Sequence, residues 1–172
     1  MPYPVISAGQ RITAGLLTSM LPSPVVKAAD EPRASTTTNA NDSHLLVPVA
    51  ANATYLMSGM LLYSARTDTD IKIGFTGPSG ATLDWIAHGQ PQDGTGGVST
   101  GMVVDKQSIG ATAFPLGGYG AENTTVMTAP LFGRLVTSAS AGTLQLNWAQ
   151  RVTNATSSIM RAGSWILLTR VA

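Results

Sequence analysis

Towards the end of the chain, apolar and polar residues alternate. Leu144, Leu146 and Trp148 are separated by Gln145 and Asn147, the period-two pattern of a strand with one buried face. A polar run over residues 153–158 follows, and the chain returns through Ile159 to Trp165 and Leu168. This spacing predicts two consecutive strands joined by a turn, so that the fold closes on a core strand.

The same alternation recurs upstream. Residues 45–49 predict a short strand whose Pro48 suits an edge or a strand end. Residues 53–65 predict a longer one, with Tyr55, Met57, Leu61 and Tyr63 on one face and Leu56, Met60 and Leu62 on the other. With both faces apolar, this strand is central or meets a partner. Residues 70–76 alternate cleanly, the Gly77-Pro78-Ser79-Gly80 run is a turn by composition, and residues 82–87 form the next strand. Further strands are expected around residues 99–104, 124–127 and 131–138. About eight short strands with little helix between them predict an all-β fold, an antiparallel β-sandwich of jelly-roll-like type.

The first forty-one residues follow a different pattern. Thr13 is placed to cap a short helix over residues 12–21, with Leu16, Leu17, Met20 and Leu21 on one side and Pro22 and Pro24 beyond its end. A helix this short is marginal alone, so its apolar face, with Ile12, is expected to bury against the β-module, a sister chain or another protein. Residues 25–41 are polar, contain Pro32 and read as an extended linker. The expected division is an anchoring arm over residues 1–41 and a β-sandwich domain over residues 42–172.

Composition narrows the function. Only 11% of residues are charged, against about 25% in an average protein, and net charge is +1. The basic residues are spread singly from Arg11 to Arg170, with no cluster to neutralise phosphates, so nucleic acid is not an expected partner. A weakly charged surface self-associates unless its apolar faces are used in an assembly, which favours an oligomer. There is no cysteine, hence no disulfide framework or thiolate chemistry. No run reaches the roughly 18 apolar residues of a membrane span.

Candidate chemistry is sparse. His88 lies four residues after Asp84, but no nucleophile elbow accompanies the pair, and His88 reads as a loop or strand-end residue. Asp68 and Asp70 have the character of a turn rather than of a calcium loop. The glycines after Pro115-Leu116 lack the lysine and hydroxyl of a phosphate loop. Trp148 and Trp165 lie on expected strands and are assigned to the core or a subunit contact, together with Tyr55, Met57, Leu61, Tyr63, Leu144 and Leu146. Trp85, with His88 beside it, borders the Gly-rich residues 89–97 and is the candidate platform for stacking on a sugar. No enzymatic activity and no cofactor or metal are expected.

Three segments together carry a resemblance. Ala8-Gly9-Gln10-Arg11-Ile12-Thr13-Ala14 followed by Leu16-Leu17 resembles the opening of many tailed-bacteriophage virion proteins. The run from Leu46 to Tyr55, with Asp70 to Ala81, resembles the sandwich domain of phage structural proteins from actinobacterial hosts, and Arg161-Ala162-Gly163-Ser164-Trp165 with Leu167-Leu168 resembles its closing strand. The resemblance implies a virion surface protein assembled in the host cytoplasm: a homotrimer with an outward β-domain similar to jelly-roll or tumour-necrosis-factor-like knobs. Its arm would attach to the major capsid protein or to tail proteins through Ile12, Leu16, Leu17, Met20 and Leu21. A minor tail protein or tail-fibre tip that binds a host cell-surface glycan is the alternative.

Overall fold

The structure, a computed structural model, describes residues 8–14, 23–90 and 106–171. Two short strands, β1 (Val25–Val26) and β2 (Glu31–Arg33), precede four longer ones: β3 (Ala40–Val49), β4 (Thr54–Ser64), β5 (Ile71–Thr76) and β6 (Thr82–Ala87). Two short strands follow, β7 (Gln107–Ser108) and β8 (Phe114–Leu116). The chain ends with β9 (Met127–Val136), β10 (Gly142–Gln150), β11 (Ser158–Met160) and β12 (Trp165–Arg170). Every strand pairing is antiparallel.

Eight of these strands make a jelly roll. The smaller sheet has the order β3-β10-β5-β8, and the larger contains β4-β9-β6-β7. From β3 to β10 the chain changes sheet at every step except β6 to β7, which is the nested Greek-key path of that fold. β12 and β11 extend the larger sheet beyond β4, and β1 and β2 pair with them in turn. The inward residues of both sheets alternate along their strands. Leu45, Val47 and Val49 meet Tyr55, Met57, Leu61 and Tyr63 in one continuous core with Ile71, Ile73, Phe75, Leu83, Trp85, Leu144, Leu146 and Trp148.

The ending differs from the expected hairpin. β10 and β12 are not neighbours: β10 is central in the smaller sheet and β12 flanks β4 in the larger. The polar residues after β10 therefore cross between sheets. Within β12 it is Ile166 and Leu168 that point inward, while Trp165 and Leu167 are half-buried on the outer face, so Trp165 is not a core residue.

The segment 25–41 also departs from its reading as a linker. It is extended, but Val25 and Val26 pair with Ile166 and Trp165, and Glu31 to Arg33 pair with Met160 to Ser158. Lys27 between them is 1% exposed. Polarity was a poor guide here, because the polar groups are satisfied against the sandwich rather than by water. Of the helix expected over residues 12–21, Leu16, Leu17, Met20 and Leu21 lie outside the described residues, as do residues 99–104, and Ile12 is exposed. Among the described residues no helix is long and apolar enough to cross a membrane.

Register sets the two ends of the sandwich apart. Val25 pairs with Ile166, and Arg170 pairs with Tyr55, so the chain approaches β1 from the end where β12 terminates. That end also carries the β3–β4, β5–β6 and β9–β10 connections. The β4–β5, β8–β9 and β10–β11 connections lie at the other.

Candidate functional site

Two features stand out from the sandwich: an uncovered apolar sheet face and a buried polar cluster. The face is the outer side of the larger sheet. One row across it runs Val26, Trp165, Met60 and Pro130; the next runs Leu167, Ser58, Phe132 and Ile86; a third runs Thr169, Leu56, Arg134 and Asp84. Val26 is 53% exposed, and Leu56 and Phe132 are each 52% exposed. These residues appear here because β4 and β12 alternate apolar residues on both faces, whereas a solvated face would alternate with polar ones. The third row ends in charge, where Asp84 accepts a hydrogen bond from Lys106 at 2.8 Å. An open depression lies between Ile86, Phe132 and that pair.

The buried cluster is built by an irregularity in β3. The register between β10 and β3 shifts between Gln145 and Asn147, a β-bulge that lets Asp42 face inward along with Leu45, Val47 and Val49. Asp42 Oδ1 accepts the backbone N–H groups of His44 and Leu45, both at 2.9 Å, and Oδ2 accepts the Trp148 indole N–H at 3.2 Å. Lys27, delivered by the end of β1, places its Nζ 2.9 Å from Oδ1 and 2.8 Å from Oδ2, with both side chains fully buried. Nζ also lies 2.8 Å from Glu31 Oε2 and 3.4 Å from His44 Nδ1, so all three ammonium hydrogens have an acceptor. Glu31 Oε2 further accepts the hydroxyl and the amide of Ser43, and its other oxygen pairs with Arg33. Burial pushes the Glu31 carboxyl up, but these hydrogen bonds from Lys27, Ser43 and Arg33 outweigh it and hold the group at about 2. The Arg33 guanidinium stacks over Trp148 at 4.2 Å and donates to the Trp148 carbonyl, closing the cluster from outside.

Glu31, Asp42 and His44 bring ligand atoms within 4.8 Å of one another, a spacing that could hold a metal ion. The Lys27 ammonium occupies the position between them, so the cation of this site is the protein's own. Sequence reasoning passed over Lys27 and Asp42. A signal was present: in a chain with so few charges, Lys27, Asp30, Glu31, Arg33 and Asp42 crowd into one short segment.

The other candidates are dispersed. Trp85 is 1% exposed, packed edge-on against Phe75 at 5.1 Å and Phe114 at 5.4 Å, with its indole N–H on the Ser108 carbonyl. It is a core residue and offers no face to a sugar, which corrects its reading as a ligand contact. His88 packs edge-on to Phe132 at the margin of the apolar face, away from the Asp84–Lys106 pair. Asp68 pairs with Arg66 through two hydrogen bonds of 2.9 Å, and Asp70 accepts the Gly118 amide at 2.7 Å. Gly118 is glycine because a Cβ there would sit 1.9 Å from the Arg66 carbonyl oxygen. Tyr55, Met57, Leu61, Tyr63, Leu144, Leu146 and Trp148 are all buried.

No family model matches the chain, and no curated protein matches it. Among solved structures it is similar to the infectious bursal disease virus Gx strain at 11% identity and TM-score 0.21, over 88% of this chain and 40% of that one. The infectious bursal disease virus VP2 subviral particle is matched at 11% identity and TM-score 0.20, over 87% of this chain and 40% of that one. The chain thus spans about two fifths of the length of the structures it matches, and at such TM-scores the likeness does not bear on its fold or role.

Proposed function

We propose that this chain is a non-enzymatic virion structural protein whose jelly-roll domain assembles as a homotrimer and decorates the surface of a phage capsid. The observation that carries this reading is the uncovered outer face of the larger sheet. Monomers seldom expose a contiguous apolar patch of this kind without a partner, and a chain with 11% charged residues has little else to keep it apart from its copies. The jelly roll is an architecture shared by viral capsid domains, lectins and cupins, and by itself that is only a fold-level analogy. The sequence resemblance to virion proteins selects among those uses. In this reading Ile12, Leu16, Leu17, Met20 and Leu21 hold the domain to the shell. The tail-tip alternative loses its sugar platform, since Trp85 is interior.

Light scattering coupled to size-exclusion chromatography tests the assembly. The full chain is expected to run as a trimer at micromolar concentration, and Phe132→Glu, which places a charge in the middle of the apolar face, is expected to give a folded monomer. A monomeric full chain, or a Phe132→Glu trimer, would sink the proposed interface.

A further inference from the structure

We propose that Lys27 and Asp42 condense into an intramolecular amide, a covalent cross-link between the two sheets. The geometry that favours it is the surrounding of the Asp42 carboxyl. One nitrogen lies 2.9 Å and 2.8 Å from the two carboxylate oxygens, next to the carbon between them, which it would attack once the carboxyl turns its face towards it. Oδ1 is already held by two backbone N–H groups, those of His44 and Leu45. Those are the donors that a tetrahedral intermediate needs for its oxyanion. Oδ2 is held, among the described residues, by the Trp148 indole N–H as its one non-reacting donor, and it is the oxygen that departs. Glu31 Oε2, 2.8 Å from Nζ, is the proton carrier, and Ser43 and Arg33 fix its position.

The step balances without any outside reagent. One proton passes from the Lys27 ammonium to the Asp42 carboxylate, leaving a neutral amine and a neutral acid. Nζ attacks Cγ and the C–N bond forms. A second proton leaves Nζ through Glu31 and reaches Oδ2, the Cγ–Oδ2 bond breaks, and one water departs. The third Nζ proton stays as the amide N–H. Nothing is oxidised or reduced, and Glu31 ends as it began.

Burial supplies the direction. In water an ammonium and a carboxylate are well solvated and do not condense. Here both are removed from solvent entirely, and two interior charges are a weak source of stability even when paired. Replacing them by one neutral amide removes that desolvation burden, and an interior closed by Arg33 over Trp148 keeps out the water that would reverse the reaction. The bond would join the end of β1, at the edge of the larger sheet, to β3, at the edge of the smaller, across the open side of the sandwich. This inference stands independently of the trimer and of the capsid.

The intact mass of the purified full chain, measured under denaturing conditions, tests it. The expected mass is lower than the sequence mass by one water, with fragment spectra placing the link on Lys27 and Asp42. Lys27→Arg and Asp42→Ala are expected at their full masses, and Glu31→Gln as mostly unlinked chain. Asp42→Asn would react with loss of ammonia in place of water, a signature that dehydration elsewhere would not give. A full-mass chain overturns the proposal, as does a water loss that persists in Lys27→Arg. Should a variant fail to fold, the mass and fragment assignment of the unaltered chain decide alone.

Discussion

Asp42 is interior because β3 carries a bulge. Without the register shift it would alternate out of phase with Leu45 and point to solvent, as Ser43 does. The charge it brings inside is matched by Lys27, and Lys27 in turn by Glu31, so the cluster's cost and its compensation are both local. Glu31 makes this visible in the pH dependence of stability. Its carboxyl is lowered from 4.5 in the unfolded chain to about 2 in the folded protein. A depressed carboxyl stabilises fully above its unfolded value, and that stability drains away as pH falls from 4.5 towards about 2. The loss is expected to be on the order of 2–3 kcal/mol. Ser43 and Arg33 donate whether or not Lys27 has reacted, so the effect survives a closed amide in reduced form. Urea midpoints measured across that window should slope downward into acid in the natural chain and flatten in Glu31→Gln. Asp30 and Asp68, also lowered, contribute equally to both proteins. Equal slopes would show that Glu31 carries no such stabilisation.

At the scale of strands, β1 and β2 decide where the domain begins. Together they contribute Lys27 to the interior, Arg33 to the cover of Trp148, and the outer edge of β12 and β11. Removing residues 1–22 keeps Lys27, Arg33 and both strands, and is therefore expected to leave a folded sandwich that melts well above one lacking residues 1–41. Removing residues 1–41 strips out Lys27, the countercharge of Asp42, and should lower stability by about 3–5 kcal/mol, the usual consequence of leaving a buried charge without its opposite. Circular dichroism melts of the two truncations check this, and equal melts would mean the segment is dispensable. The same strands mark the limit of what the sequence revealed. Period-two alternation located β3, β4, β5, β6, β10 and β12, because each has one face in a large core, and the strand expected over residues 131–138 overlaps β9. It could not place β1, β2, β7, β8 or β11, which are two or three residues long and show no period. Nor does alternation tell a hairpin from a crossover, which is why β10 and β12 read as neighbours. The same limit hid the burial of Trp85: on an expected strand bordering a Gly-rich stretch it read as an exposed platform, while β6 turns it towards Phe75. Lys27 and Asp42 stand in a segment whose crowded charge was a signal, but which of those charges pair was illegible for a different reason. Their meeting depends on a bulge and a strand-edge contact, both set by tertiary packing.

The whole molecule has two unlike ends, and the proposed attachment makes them unlike in function. Residues 23 and 24 enter β1 from the end where β12 finishes, the side of the β3–β4, β5–β6 and β9–β10 connections, and the proposed anchoring arm over residues 1–22 precedes them in sequence. If that arm holds the domain to a shell, this end faces the shell and the opposite end faces outward. Both ends offer exposed loop residues that tolerate insertion without disturbing the core: Ala139 to Ala141 on the arm's side, and Tyr119 to Glu122 on the other. A short epitope inserted after Glu122 should therefore leave incorporation into particles intact and be reached by antibody on assembled virions. The same epitope after Ala141 should either block incorporation or be shielded from antibody. Circular dichroism on each purified protein confirms that both insertions fold. Equal labelling from the two sites would mean that the sandwich does not stand on its arm's end, and the decoration reading would lose its geometry even if the trimer held.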